Sequence, residues 1–164
     1  MTNRVVFDCM IFLQGAASAQ GPAALCLHLA ELGHVELCVS SEVLSEIRDV
    51  LTRPQLQRRF SALTAEAVAA FLSRLNRFAH VIDNVQPVVS LPRDPKDEKY
   101  LNLAVAAGAV FLVSRDNDLL DLIDEQKADG RAFRMRFPHI TILDPVAFLQ
   151  TLQSPSEHLR PDEV

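Results

Sequence analysis

Tryptophan is absent from this chain, tyrosine occurs once, and only 6% of the residues are aromatic. Proteins that hold nucleic acid by stacking bases need several aromatic faces, so a base-stacking platform is poorly supported. The three cysteines, Cys9, Cys26 and Cys38, stand singly in apolar surroundings with no C-x-x-C pair. That argues against a disulfide framework or a thiolate zinc site and leaves reduced thiols packed as small hydrophobes. The five histidines show no ligand spacing, which disfavours a zinc hydrolase. No apolar run approaches the roughly 18 residues that span a bilayer. The N-terminal residues lead straight into a strand-like run, so no signal peptide is expected and the cytoplasm is the expected location.

What is present is ordinary for a globular domain. The chain has 164 residues, of which 49% are hydrophobic and 23% charged, enough for one domain with a substantial core. The net charge of -5 argues weakly against non-specific polyanion binding. Carboxylates that hold divalent cations would reverse that field locally.

Apolar runs at 4–8, 35–39, 110–113 and 140–143 predict strands, and a third strand is expected within 81–89. Between them lie helical patterns. One runs from Pro22 and is closed by Gly33; another is capped at Ser40-Ser41 and stopped at Arg53-Pro54. A long helix opens at Thr64, and Asp94-Pro95 starts a helix that ends at Gly108. Residues 119–123 are helical, and Asp144-Pro145 opens a short last helix. Residues 15–21 and the charged segment 124–136 are expected as loops, and 55–60 as a short basic segment. A single domain over 1–152 is expected, followed by a polar tail over 153–164 expected to be disordered. Strands that alternate with helices and are uniformly apolar indicate a parallel sheet covered on both faces, an α/β/α sandwich.

Strand C-termini and helix N-termini share one edge of such a sheet, the edge where ligands bind. Asp8 ends the first strand, Asp116 and Asp118 follow the fourth, and Asp97 lies in the first turn of its helix. On the helix after Ser41, residues Val43, Leu44, Ile47, Val50 and Leu51 form the core stripe. Glu46 falls roughly 40° from Val50 at 100° per residue, on the margin of that stripe; Glu42 and Asp49 point further out. Asp97, Asp116 and Asp118 also have an ordinary role as a helix-terminal carboxylate or turn formers, and Glu46 as a partly exposed helix carboxylate. Asp8 has less of one, since a buried apolar strand seldom ends in an unpaired acid. Together, Asp8, Glu46, Asp97 and Asp116 can converge on one crevice. Carboxylates so gathered repel one another unless a cation is present, and oxygen-only ligands suit Mg²⁺ or Mn²⁺. Phosphodiester hydrolysis is the natural reaction for such a site.

The stretches Val5-Val6-Phe7-Asp8, Ser40-Ser41-Glu42-Val43-Leu44-Ser45-Glu46-Ile47, Arg93-Asp94-Pro95-Lys96-Asp97-Glu98-Lys99-Tyr100-Leu101 and Leu112-Val113-Ser114-Arg115-Asp116-Asn117-Asp118-Leu119-Leu120 occur in this order. With Ile140-Thr141-Ile142-Leu143-Asp144-Pro145, the set resembles the PIN-domain family, particularly the VapC-like toxin components of bacterial toxin–antitoxin pairs. The resemblance implies an endoribonuclease dependent on Mg²⁺ or Mn²⁺, a homodimer and a small antitoxin partner. It maps the family's metal-binding acids onto Asp8, Glu46, Asp97 and Asp116, with Asp118 as an outer or second-ion ligand. Ser114 matches a hydroxyl beside the catalytic water. In this family the first Asp is usually followed by Thr or Ser and then Asn; here Cys9 and Met10 stand there.

Arg48, Arg53, Arg58 and Arg59, with Arg131, Arg134 and Arg136, are candidates for RNA phosphate contacts, the alternative being solvated surface charge. Cys9 has no histidine placed to activate it as a nucleophile. Three readings follow. The first is a metal-dependent ribonuclease. The second is a catalytically degenerate domain that binds RNA or protein, suggested by Met10. The third, a phosphoryl-transfer receiver or phosphatase, lacks a second acid two residues after Asp8 and ranks last.

Overall fold

Four residues, Arg4–Phe7, form β1 at the centre of a five-stranded sheet, and Val5 to Phe7 have almost no exposed surface. The computed structural model describes residues 2–153; the polar tail, from residue 154 on, lies outside the described residues. In chain order the elements are β1, α1 (Cys9–Ala17), α2 (Pro22–Glu31), β2 (Glu36–Val39), α3 (Ser41–Leu51), α4 (Pro54–Arg59), α5 (Ala65–Phe78) and β3 (His80–Val81). Then follow a 3-10 turn (Pro95–Asp97), α6 (Glu98–Ala107), β4 (Phe111–Val113), α7 (Asn117–Leu120), a second 3-10 turn (Asp121–Ile123), α8 (Ala128–Arg136), β5 (Thr141–Leu143) and α9 (Pro145–Gln153).

The strand order is β3-β2-β1-β4-β5 and every pairing is parallel. Parallel strands expose no face to water without cost, and helices flank the sheet as the apolar strands require. The expected three-layer α/β/α sandwich is the observed fold. The chain leaves β1 in one direction towards β2 and returns to pair β4 on its other side, so the strand order reverses between β1 and β4. That reversal opens a crevice at the strands' carboxyl ends.

Aromatic packing ties β1 and β4 to the helices beside them. Phe7 of β1 lies 6.1 Å from Phe12 of α1 and 5.9 Å from Phe148 of α9, which in turn meets Phe111 of β4 at 5.5 Å. Edge-on contacts of this kind add about 1 kcal/mol each beyond the burial of the rings. They set the strand end that carries Asp8 against its neighbours.

Four segments differ from the sequence-based expectation. The loop over 15–21 begins only after Ala17, because Ile11, Phe12 and Leu13 are buried and carry α1 through Gly15. Gly15 is a packing residue: a Cβ there would meet Leu27 Cδ1 at 2.3 Å, so its absence lets α2 approach. The basic segment after Arg53 is a helix with Pro54 at its first turn, a position where proline lacks no needed donor. The third strand is only His80–Val81. Beyond it the irregular chain is held by Asn102, whose side-chain oxygen accepts from the backbone N–H of Val88 at 3.0 Å and Val89 at 2.7 Å.

The charged segment 124–136 is not a loop throughout. Its second part is α8, which buries only Gly130 and Phe133 and exposes Met135 beside its charged residues. Among the described residues no single helix is long and apolar enough to cross a membrane. α1 and α2 together have a span's length and composition, but they meet at 98° and contribute buried side chains to the core.

Candidate active site at the carboxyl edge

Asp8 follows β1 and Ser114 follows β4, and the register pairs Phe7 with Val113. The two residues therefore emerge side by side, with Asp8 N–H donating to Val113 O at 3.1 Å. Both are buried: Asp8 is 4% exposed and Ser114 0%. The Ser114 hydroxyl donates to Asp8 Oδ2 and accepts from the N–H of Asp116 at 2.9 Å. Asp8 Oδ1 accepts from Ile11 N–H at 3.3 Å, so Asp8 also caps α1.

Two further acids arrive as caps. Asp94 caps the first 3-10 turn by accepting from Lys96 N–H at 3.2 Å, and Asp116 caps α7 by accepting from Asp118 N–H at 2.8 Å. Asp97 closes that 3-10 turn and is 9% exposed. One carboxylate oxygen each from Asp94, Asp97 and Asp116 lies within 4.8 Å of the other two. Asp97 Oδ2 is buried without any hydrogen-bond partner.

Two carboxyls here, those of Asp97 and Asp8, resist ionisation. Burial pushes the Asp97 carboxyl up to about 8, helped by a hydrogen bond shared with Asp116 and by the charges of Asp116, Asp94 and Asp8. Burial also raises Asp8 to about 6, against the hydrogen bonds from Ser114 and the Ile11 amide, while the Asp116 charge adds to the rise. A divalent cation would relieve both. The donors are all oxygens, the orphaned Asp97 Oδ2 lacks a partner, and the spacing is compact. These features fit a hard cation such as Mg²⁺ or Mn²⁺.

Of the acids singled out from sequence, Asp8, Asp97 and Asp116 are brought together. Glu46 lines the same cavity with both oxygens engaged, Oε1 by the hydroxyl of Tyr100 and Oε2 by the ammonium of Lys99. Asp118 faces Arg93 at 2.7 Å. Arg93 also holds Asp121 at 3.1 Å, and Lys127 meets Asp121 at 2.8 Å. Asp94 is the member that sequence reasoning missed. Its place before a proline accounts for it as a cap, and a cap keeps its second oxygen free to point elsewhere.

A cavity of about 790 Å³ extends from Asp8, Asp94 and Asp97 along α1, α3 and α4. Arg53 and Arg59 line it, as do Lys96 and Arg115, two cations that the sequence reading did not select. Arg53 also pairs with Asp49 at 2.8 Å. Arg48 and Arg58 are exposed and do not line it. Arg131, Arg134 and Arg136 stand on α8, outside the cavity; Arg134 pairs with Glu125 at 3.3 Å, and Arg136 stacks on Phe137. Met10, 46% exposed, forms part of the wall beside Asp8. The Cys9 thiol is pushed up to about 12 by burial and by Glu46, which leaves it protonated and a poor nucleophile.

Comparison with curated protein sequences finds no match to this chain. A family model does match: the PIN domain, over residues 4–118. That span runs from β1 into α7 and takes in Asp8, Glu46, Asp94, Asp97, Ser114, Asp116 and Asp118. The chain thus belongs to the PIN domain family, whose members are typically metal-dependent nucleases.

Proposed function

We propose that this protein is an endoribonuclease dependent on Mg²⁺ or Mn²⁺ and serves as the toxin of a toxin–antitoxin pair. The observation that carries the nuclease reading is the compact Asp94, Asp97 and Asp116 group beside buried Asp8, with Asp97 Oδ2 lacking a partner. Asp8, Asp97 and Asp116, with Asp94, would hold the ion. Bound there, Mg²⁺ or Mn²⁺ would lower the pKa of an attacking water and stabilise charge developing on the phosphodiester.

The chain's own residues supply the rest. Ser114 fixes Asp8 relative to Asp116, and its hydroxyl proton is committed to Asp8. It therefore acts on the attacking water only by accepting from it. Arg53, Arg59, Lys96 and Arg115 line the cavity and offer cations to the RNA phosphates. Arg48 and Arg58 would serve only RNA that extends beyond it. Glu46 would reach a bound ion only if it released Lys99. Asp118, paired with Arg93, belongs to the outer shell of the site. The toxin role, the antitoxin, the homodimer and a cytoplasmic location rest on the likeness to bacterial PIN toxins.

RNA cleavage with Mn²⁺ or Mg²⁺ tests the reading, with wild type compared against Asp8→Asn and Asp97→Asn. Loss of metal-dependent cutting in both variants is the expected result. Absence of cutting and of calorimetric metal binding in clean wild type overturns it. Induction in a bacterial host should arrest growth, and the product of the neighbouring gene should relieve the arrest. One observation favours a second reading, a PIN domain that binds RNA or protein without cutting. Met10 stands in the cavity wall where an amide is usual and offers no polar group to orient water.

A further inference from the structure

Tyr100 is the only tyrosine in the chain and is 2% exposed. A buried phenol has to place one proton and satisfy its lone pairs. Here the hydroxyl donates to Glu46 Oε1 and accepts from the N–H of Cys9 at 3.1 Å. Cys9 is the first residue of α1, and its amide is one of the donors that a helix start leaves without an internal partner. Asp8 satisfies the amide of Ile11 and Tyr100 that of Cys9. The start of α1 is thus closed from two sides, and one side is a residue 91 positions away.

The placement in the fold adds to this. Tyr100 sits in the first turn of α6, three residues after Asp97; Glu46 is on α3; Cys9 directly follows Asp8. One hydroxyl therefore joins the three segments that bring Asp8, Glu46 and Asp97 to the cavity. Lys99, the preceding residue, takes the other oxygen of Glu46, and its ammonium lies 5.7 Å from the centre of the Tyr100 ring. With both oxygens held, Glu46 cannot turn without breaking a contact to α6.

We propose that Tyr100 is a positioning residue of the metal centre: its hydroxyl fixes the Glu46 carboxylate relative to Asp8. This rests on the reading of the acidic cluster as a cation site. Groups that orient metal ligands through hydrogen bonds are worth about 10–100-fold in metal affinity. The ring packs in the core whether or not the hydroxyl is present, so Tyr100→Phe removes the bridge and keeps the volume. Because the chain has no tryptophan, its tyrosine emission reports on this one position.

The test combines Mn²⁺ calorimetry, amide hydrogen exchange at Cys9 and tyrosine emission during a Mg²⁺ titration. Tyr100→Phe should bind Mn²⁺ about 10–100-fold more weakly than wild type and exchange the Cys9 amide faster. Introduced into Glu46→Ala, which removes the acceptor, it should cost little more, because the shared contact is already broken. Wild-type emission should change as Mg²⁺ is added. Unchanged Mn²⁺ affinity in Tyr100→Phe, or losses that simply add in the double variant, overturns the proposal. Should wild type bind no Mn²⁺, the nuclease reading falls and the bridge is judged on exchange alone; a Cys9 amide no faster in Tyr100→Phe overturns it. If Tyr100→Phe does not fold, the emission of Glu46→Ala, which has no acceptor for the phenol, decides. A spectrum identical to wild type overturns the bridge, and an altered one supports it.

Discussion

The hydroxyl of Ser114 donates to the carboxylate of Asp8, joining the ends of the two parallel strands between which the strand order reverses. The same oxygen accepts the Asp116 amide at 2.9 Å, so a fully buried side chain sets the spacing of two acids. Ser114→Ala would leave Asp8 Oδ2 and the Asp116 N–H without this partner. A loss of about 1–3 kcal/mol of stability is expected, the cost of stranding buried polar groups. Urea denaturation of the metal-free protein measures it. A variant as stable as wild type would show that the bond contributes nothing to the resting site.

Metal-free stability should depend on pH through the same cluster. Asp97 is raised to about 8 and Asp8 to about 6 in the folded chain, against an unfolded value near 4. Between those values the native state holds protons that the unfolded chain has released. The unfolded state binds fewer, so stability falls as pH rises. The contribution is fully present below about pH 4 and is lost in steps through about 6 and 8. Thermal melts in a chelator should show Asp97→Asn gaining on wild type from pH 4 to 8. Saturating Mn²⁺ should reverse that order, since only wild type keeps the ligand. A difference between the two proteins that is flat with pH would contradict the raised carboxyl.

The sheet and most of the site were readable because their signals are local. Val5-Val6-Phe7 and Leu112-Val113 are apolar runs, and an acid or hydroxyl directly after each has to lie at the carboxyl edge. Asp94 was readable as a helix start, but its second oxygen meets Asp97 and Asp116 only through the fold. The engagement of Glu46 by Lys99 and Tyr100 was out of reach for the same reason: helix phasing places Glu46 near the core stripe without saying what faces it across 54 residues. α8 escaped because Phe133 is the only large side chain it buries, too little to show a helical period.

Gly130 gives that hidden helix a test. A Cβ there would stand 2.1 Å from the backbone oxygen of Asp124, and main chain cannot swing aside as a side-chain tip can. Gly130→Ala should cost about 1–3 kcal/mol by overpacking, although alanine is the better helix former by about 1 kcal/mol. At Gly15 the obstacle is the tip of Leu27, and Gly15→Ala should cost less. Melting both variants checks the order. A stabilised Gly130→Ala would mean that α8 does not lie this close to the backbone of Asp121 and Asp124.

Lys99 forms an ion pair with Glu46, which lines the cavity, and a divalent cation that recruits Glu46 has to displace the ammonium. Lys99→Gln removes the competitor. Mn²⁺ affinity should then rise about fivefold, the equivalent of the roughly 1 kcal/mol that a partly exposed pair is worth. Calorimetry reads this directly. Weaker binding would instead mean that Lys99 holds Glu46 where the ion needs it.

Met10 separates an active nuclease from a binding module. Its side chain lies in the cavity wall beside Asp8, 46% exposed, where related domains usually carry an asparagine. A thioether neither donates a hydrogen bond nor accepts one strongly, so it cannot orient a water or a ligand as an amide can. Replacement at so exposed a position should alter stability by no more than about 0.5 kcal/mol. Met10→Asn should therefore raise metal-dependent RNA cleavage without moving the melting temperature, and the gain should vanish when Asp97→Asn is added. If wild type already cuts RNA and Met10→Asn cuts no faster, the remaining acids suffice and the amide is dispensable here. If neither protein cuts while both bind Mn²⁺, the departure at Met10 is not what silences the site, and the binding-module reading gains.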